Sequence, residues 1–252
     1  MKLIVTGATG FVAREVIRQA LNNPKITSIV ALARRETKIP DDAGPDAKTE
    51  KFRSVICDDF SNYPDSVKTE LAGAHSCIWL LAITPTKANS MPAEQVRKVC
   101  LDYAMTGLDT IAKLPRDGVS QPLRFLYISG SSAERDPAKK PWILGNYSLM
   151  RGEVESQVLE YANKSNGAVE ACVAKPGLIH APGTSALAKA AKALVGSVIS
   201  LPFVQVEEIA ATLLNQATEG FEKETFLNED LIRIGRKVLE TQEGSTSANQ
   251  AS

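Results

Sequence analysis

The chain has few of the residues that bind metals or form disulfides. Only four cysteines and two histidines occur among its 252 residues, and no two cysteines form a C-x-x-C pair. A structural zinc site needs about four closely spaced Cys or His ligands, and a disulfide framework needs paired cysteines in an oxidising compartment. We therefore expect no metal site, and cysteines that act as small buried hydrophobes in a reducing compartment.

An excess of charge is also missing. Lys and Arg total 29, Asp and Glu total 29, and the formal net charge is zero. Proteins that follow a nucleic-acid backbone need a basic patch, so we expect no nucleic-acid partner. No apolar run approaches membrane-spanning length and no basic leader precedes the first strand, so we expect a cytoplasmic protein with no membrane partner. Composition carries no information on the oligomeric state.

Strand and helix patterns alternate along most of the chain, which predicts an α/β fold with a doubly wound parallel sheet. We expect one domain over 1–240, with a small C-terminal substrate-side region at about 178–240, and a disordered tail at 241–252. Strands are predicted at 2–5, 28–33, 54–57, 76–82, 123–129 and 168–174, and helices near 11–21, 64–72, 92–113, 147–163, 184–195, 206–217 and 229–239. A short apolar piece at 225–227 precedes the last of these helices.

The strongest motif is a glycine turn between the first strand and the first helix. Gly7 and Gly10 allow a tight turn in which backbone N–H groups approach an anion, and the helix N-terminus beyond them carries partial positive charge. Ala13 stands where a third glycine would let helix and strand pack closely. The turn predicts a dinucleotide site, with contacts from Gly7, Thr9, Gly10, Phe11 and Val12.

The end of the second strand indicates which nicotinamide cofactor binds. An acidic side chain there would hold a ribose 2′-hydroxyl, but this chain has Arg34 and Arg35. Guanidinium groups pair well with a 2′-phosphate, so the pattern favours NADP(H) over NAD(H). The alternative is ordinary solvated surface charge.

Two acids, Asp58 and Asp59, follow the third strand. An acid at this position can accept a hydrogen bond from the adenine amino group. Asp58 is equally well interpreted as the cap of the next helix.

A second cluster follows the fifth strand, at the edge of the sheet where ligands of open parallel sheets bind. Ser129, Ser131 and Ser132 end that strand, and Tyr147 opens the next helix with Arg151 one turn later on the same face. A cation beside a phenol lowers its pKa, which suits a tyrosine that transfers protons near neutral pH. The alternative is a structural tyrosine with an unrelated arginine.

Together, the glycine turn, the serines, the tyrosine with its cation, and Lys175-Pro176-Gly177 resemble an atypical short-chain dehydrogenase/reductase. The similarity covers about residues 1–240 and is greatest to NmrA-like and NAD(P)-binding epimerase-like members of this Rossmann family. The resemblance implies that Tyr147 is the proton donor or acceptor and that Ser131 polarises the substrate carbonyl, with Ser132 as the alternative. Arg151 occupies the place of a lysine that holds the nicotinamide ribose, and this substitution puts redox competence in doubt.

The same resemblance implies that further residues line the site. We expect Leu81, Ala82, Ser129, Pro176 and Gly177 at the cofactor. Beside the substrate we expect Thr84, Ser132, Trp142 and His180, although Trp142 is equally well interpreted as a core residue. Such a wall would prefer a small apolar molecule.

The leading hypothesis is therefore an NADPH-dependent reductase of a carbonyl or imine, with Tyr147 as proton donor. Two alternatives stay open. One is a redox-neutral isomerase or cyclase on the same cofactor-bound scaffold, suggested by the missing lysine. The other is a non-catalytic redox sensor of the NmrA-like kind, because fold does not fix function.

Overall fold

The computed structural model describes residues 1–142, 144–180 and 202–250. The strands in these ranges are β1 (Lys2–Thr6), β2 (Ser28–Ala33), β3 (Phe52–Ile56), β4 (Ser76–Trp79), β5 (Leu123–Ile128), β6 (Val169–Lys175), β7 (Leu178–His180), β8 (Phe203–Gln205) and β9 (Thr225–Leu227). Seven of them form a parallel sheet with the order β3-β2-β1-β4-β5-β6-β9, and β7 pairs with β8 in a separate small sheet. This confirms the predicted doubly wound parallel sheet.

Helices connect the strands in the described part of the chain. They are α1 (Phe11–Asn22), α2 (Asp65–Leu71), α3 (Pro85–Ala88), α4 (Ala93–Arg97), α5 (Tyr103–Lys113), α6 (Gly145–Lys164), α7 (Val206–Glu219) and α8 (Asn228–Gln250). A single helix was predicted near 92–113, but a π-helical turn at Lys98–Asp102 separates α4 from α5. Such turns accommodate an extra residue within a helix and often occur at functional sites.

The sheet separates two hydrophobic layers, because successive side chains of a strand point to opposite faces. Leu3 and Val5 of β1 pack with α1, α7 and α8 on one face. Ile4 between them packs with α2, α5 and α6 on the other. Both faces are covered, which is why the central strands are continuous apolar runs instead of alternating ones.

The order of the strands reverses at β1, which pairs with β2 on one side and β4 on the other. These strands are parallel, so the carboxyl ends of β1, β4 and β5 lie at the same edge of the sheet. Ligands of open α/β sheets bind at this edge, beside the point of reversal. The candidate active site is therefore built here.

Two C-terminal predictions stay predictions. The structure continues α8 to Gln250 through most of the tail predicted at 241–252, and whether that tail is disordered stays a prediction. No proline interrupts the segment after Thr241, and each residue added to an existing helix gains a hydrogen bond without a new nucleus. The alanine-rich helix predicted near 184–195 lies outside the described residues. No helix in the described ranges has the length and apolarity needed to cross a bilayer.

Candidate active site

The turn after β1 requires glycine at its first position. Gly7 has a φ of +63°, and a Cβ there would lie 3.0 Å from the backbone carbon of Leu80 and from the nitrogen of Leu81. The end of β4 thus passes directly against the turn. Both the left-handed backbone and the close approach exclude a larger residue.

The N-terminus of α1 is not capped by any side chain of the described residues. Gly10 is the N-cap residue, and its N–H donates to the Gly7 carbonyl at 2.8 Å. Helix termini of this kind have N–H groups without intrahelical partners and carry partial positive charge. The turn therefore fits a pyrophosphate: no Cβ fills the cradle at Gly7, and the first N–H groups of the helix are not taken by a capping side chain.

Tyr147 lies in the first turn of α6 and contacts the chain just beyond β4. Its hydroxyl donates a hydrogen bond of 2.8 Å to the Ile83 carbonyl. The π-helical turn holds the same residue from the other side, because the Cys100 sulfur accepts the Ile83 N–H at 3.2 Å. The phenol is therefore fixed at the carboxyl edge of the sheet.

Arg151 lies one helical turn after Tyr147 and is only 5% exposed. One guanidinium nitrogen lies 3.4 Å from the Tyr147 hydroxyl, and the other donates to the Ile128 carbonyl at 2.5 Å. The guanidinium also lies 5.2 Å from the centre of the Tyr127 ring. These contacts fix the guanidinium between Ile128, Tyr127 and Tyr147, and a contact with a ribose stays a prediction.

The predicted lowering of the tyrosine pKa is wrong. Burial raises the pKa of Tyr147 above its ordinary value, and the charge of Arg151 opposes this without overcoming it. Burial costs the phenolate more hydration energy than the charge of Arg151 restores by electrostatic attraction. The group therefore stays a neutral phenol at neutral pH, which is the form that donates a proton.

The predicted serines occupy a short loop between β5 and α6. Ser131 donates its N–H to the Pro176 carbonyl at 2.8 Å. Among the described residues, neither Ser131 nor Ser132 has a hydrogen bond from its side-chain hydroxyl, and both are half-buried. Ser129 differs, because its hydroxyl donates to Glu155 at 2.5 Å.

A cavity of about 440 Å³ lies between α3, α4 and the start of α6. Most of its wall is apolar. Its lining residues are Ala88, Asn89, Met91, Ala93, Val96, Arg97, Leu144, Gly145, Asn146, Tyr147 and Met150. A cavity of this size and lining suits a small apolar molecule.

Comparison with known proteins supports this description of the fold. The sequence matches no protein-family model. It is 26% identical over 160 residues to "Protein FMP52, mitochondrial" of Candida albicans, a match that covers 64% of this chain and 61% of that protein. The chain thus matches less than two thirds of that relative's length. The name places that relative in mitochondria, and the cytoplasmic location of this chain stays a prediction.

Solved structures align over nearly the whole chain. A short-chain type dehydrogenase/reductase from Mycobacterium ulcerans has a TM-score of 0.66 and 14% identity, with 92% of this chain and 90% of that chain covered. The chain has the short-chain dehydrogenase/reductase fold. Vestitone reductase from alfalfa shares it with a TM-score of 0.62 and 21% identity, covering 90% of this chain and 76% of that one.

A further neighbour holds a nicotinamide cofactor. The dTDP-glucose 4,6-dehydratase DesIV from Streptomyces venezuelae, with NAD and TYD bound, has a TM-score of 0.65 and 15% identity, with 95% of this chain and 81% of that chain covered. This neighbour of the same fold therefore binds a nicotinamide dinucleotide. The structures show NAD, and the preference for NADP(H) stays a prediction.

The residues predicted at the adenosine end are exposed, as a ligand would require. Arg34 and Arg35 follow β2 directly, and neither forms an ion pair with another described residue. Asp58 is exposed after β3, and its interpretation as a helix cap is wrong, because Pro64 is the N-cap of α2. Asp59 accepts the Ser61 N–H at 2.9 Å, which stabilises the turn before that helix.

Residues predicted near β4 and β6 lie at the same edge of the sheet. Leu81 and Ala82 are half-buried beside the glycine turn, and Thr84 is the exposed N-cap of α3. Pro176 is buried. Gly177 has a structural reason for lacking a side chain, because a Cβ there would lie 1.9 Å from the Pro202 carbonyl oxygen.

Two predicted substrate residues differ sharply in exposure. Trp142 is 97% exposed, so its interpretation as a core residue is wrong. A polar loop carries it away from both hydrophobic layers. His180 is buried in β7, with its ring centre 4.7 Å from that of Phe203 on β8. Its role beside a substrate stays a prediction.

Sequence reasoning missed Ile83, Cys100 and Glu155. The signal for Ile83 was available, since the segment after β4 must neighbour a tyrosine that follows β5 when those two strands are adjacent. Cys100 was not predictable, because the π-helical turn that presents its sulfur has no sequence signature. Glu155 shares a helical face with Tyr147 and Arg151, but only the structure shows that this face is buried.

Proposed function

We infer that the protein binds NADP(H) and reduces the carbonyl or imine group of a small apolar molecule, with Tyr147 as the proton donor. The observation that carries this proposal is the half-buried Tyr147 phenol, held beside Arg151 at the edge of the sheet that also contains the Gly7 turn. The fold and its nicotinamide-binding neighbours support the general oxidoreductase scaffold.

The chain offers a distinct group to each part of the cofactor. The Gly7–Gly10 turn and the first N–H groups of α1 would hold the pyrophosphate. Arg34 and Arg35, exposed after β2, would pair with a 2′-phosphate, and this pair is the support for NADP(H) over NAD(H). Bound in its reduced form, the cofactor would supply the hydride.

Tyr147 would supply the proton. Burial keeps its phenol protonated at neutral pH, and Arg151 stabilises the negative charge that develops as the proton leaves. The proton now shared with the Ile83 carbonyl is the one that a substrate oxygen would receive. The hydroxyls of Ser131 and Ser132 would polarise the substrate group as hydrogen-bond donors.

The substrate class follows from the cavity at the start of α6. Tyr147 is one of its lining residues, and most of the others are apolar. Besides Tyr147, only Asn89, Arg97 and Asn146 of the lining have polar side chains, so a sugar phosphate would leave many of its polar groups unpaired. A small aromatic or aliphatic carbonyl compound would bury its apolar surface there.

The test replaces Tyr147 with phenylalanine and uses Tyr161→Phe as the matched control. Tyr161 lies on the same helix, where its hydroxyl donates to Asp109 instead of facing the site. The assay follows NADPH oxidation with benzaldehyde, acetophenone and related carbonyl compounds. We expect Tyr147→Phe to lower kcat/KM by about 10²- to 10⁴-fold with the NADPH Kd unchanged, because a positioned general acid contributes about that factor. Tyr161→Phe should retain turnover.

Other results would reject the proposal in recognisable ways. Full turnover in Tyr147→Phe would remove the tyrosine from the chemistry. Product formation without NADPH consumption would favour the redox-neutral alternative. Tight NADPH binding without turnover of any carbonyl probe would favour the non-catalytic sensor.

A further inference from the structure

Glu155 is a fully buried carboxylate that the proposed chemistry does not use. Its side chain is 0% exposed, and it lies on α6 two helical turns after Tyr147. Burying a charge is costly unless other groups pair with it and satisfy its hydrogen bonds. The structural elements that supply those partners therefore indicate what the charge holds together.

Three donors from three parts of the chain converge on this carboxylate. One oxygen accepts the Ser129 hydroxyl at 2.5 Å, at the end of β5. The other accepts Arg135 Nε at 2.7 Å and Lys175 Nζ at 3.1 Å, from the following loop and from the end of β6. Lys175 Nζ also donates to the Ala133 carbonyl at 2.8 Å. One carboxylate on α6 thus connects β5, β6 and both ends of the loop between Ser129 and Arg135.

That loop carries the two serines whose hydroxyls have no hydrogen bond to other described residues. Between Ser129 and Arg135 lie Ser131 and Ser132, and the Glu134 N–H donates to the Ser148 carbonyl at 3.0 Å. The packing is close, because a Cβ on Gly152 would lie 1.9 Å from the Glu134 carbonyl oxygen. The loop consequently rests against the helix that bears Tyr147.

From this arrangement we propose that Glu155 is a positioning residue, which fixes the Ser131–Ser132 loop relative to Tyr147 so that serine hydroxyl and phenol meet the same substrate atom. It touches no substrate itself and acts through Ser129, Arg135 and Lys175. An uncharged apolar side chain would fill the same volume without orienting these three groups. The proposal rests on the proposed function, since it assigns the serines a role in that reaction.

Glu155→Gln tests the proposal, because glutamine keeps the shape and removes the charge. Misplacing a reacting group by about 1 Å costs on the order of 10²-fold in rate, so we expect kcat with benzaldehyde to fall about 10- to 100-fold. The NADPH Kd should change less than kcat, since the glycine turn that would hold the pyrophosphate lies on other elements. Glu160→Gln is the matched control: it removes an exposed ion pair with Lys164 from the same helix, but leaves the loop and the cavity untouched. It should keep wild-type kcat.

A second readout needs no turnover. The Ser131 and Glu134 amides, which bond to Pro176 and Ser148, should exchange hydrogen faster in Glu155→Gln, while the Gly10 amide in the glycine turn should not change. If the wild-type protein reduces no carbonyl probe, the proposed function fails, and amide exchange still decides whether Glu155 holds the loop. Wild-type kcat and wild-type exchange in folded Glu155→Gln would overturn the inference.

Ser129→Ala covers the case in which Glu155→Gln does not fold. This variant keeps both ion pairs of Glu155 and removes only the connection to β5. We expect a fall in kcat that is smaller than in Glu155→Gln, together with faster amide exchange at Ser131. If both kcat and exchange stayed at wild-type values, the inference would be overturned.

Discussion

Arg151 lies 3.4 Å from the Tyr147 hydroxyl, with its guanidinium 6.0 Å from the centre of the Tyr147 ring. The two side chains are one helical turn apart, so α6 alone brings them together. Burial raises the pKa of Tyr147, and Arg151 opposes that rise. The pair therefore keeps a proton at neutral pH while lowering the cost of releasing it.

The pH dependence of turnover should reveal this pair. The phenol is active when protonated, and its pKa is raised above 10.0. We therefore expect kcat to be level through neutral pH and to fall only above about pH 10. Arg151→Met removes the opposing charge, so the fall should move to still higher pH. A profile of kcat against pH for both proteins measures this, and a shift to lower pH in the variant would contradict it.

Gly7→Ala should weaken NADPH binding and destabilise the fold. A left-handed backbone costs a residue with a Cβ about 1–2 kcal/mol, and here the Cβ also meets the Leu80 and Leu81 backbone at 3.0 Å. Gly118→Ala is the matched control, because Gly118 has a φ of +77° and no described atom lies within 4 Å of where its Cβ would stand. Denaturant unfolding should show a lower free energy of unfolding in both variants. NADPH titration should show weaker binding only in Gly7→Ala. Equal NADPH affinity in both variants would exclude the turn as the binding site.

Arg34→Ala should change cofactor preference. A hydrogen bond to a charged group contributes about 1.5–3 kcal/mol, so we expect the NADPH Kd to rise about 10- to 100-fold while the NADH Kd stays the same. Arg53→Ala removes an exposed arginine from β3 and controls for net charge. Fluorescence titration with both cofactors measures the ratio of the NADPH Kd to the NADH Kd. An equal loss for NADH would show that Arg34 does not contact a 2′-phosphate.

Truncation should destabilise the protein at Trp79 but not at Trp142. Trp79 is fully buried, so Trp79→Ala should cost about 3–5 kcal/mol of unfolding free energy. Trp142 is 97% exposed, so Trp142→Ala should change stability by less than about 0.5 kcal/mol. If Trp142 contacts substrate as predicted, its loss should raise KM and leave the NADPH Kd unchanged. Unchanged KM would remove Trp142 from the substrate site.

The sequence alone determined the order of strands β1 to β6 and of most helices between them, the glycine turn and the fold family it resembles. These features depend on local chemistry: apolar periodicity places strands and helices, and Gly7 and Gly10 mark a turn that few other residues allow. The adjacency of Tyr147 and Arg151 was equally predictable, because four residues make one turn of any helix.

Only the tertiary structure decided the protonation of Tyr147, the surroundings of Glu155 and the exposure of Trp142. Each depends on how much water other parts of the chain exclude, and spacing along one segment does not encode this. The predicted lowering of the Tyr147 pKa was wrong for that reason: the nearby charge was visible in the sequence, but the burial that outweighs it was not. Contacts such as Tyr147 with Ile83 join segments far apart in the chain, and they exist only once the parallel sheet has brought the ends of β4 and β5 together.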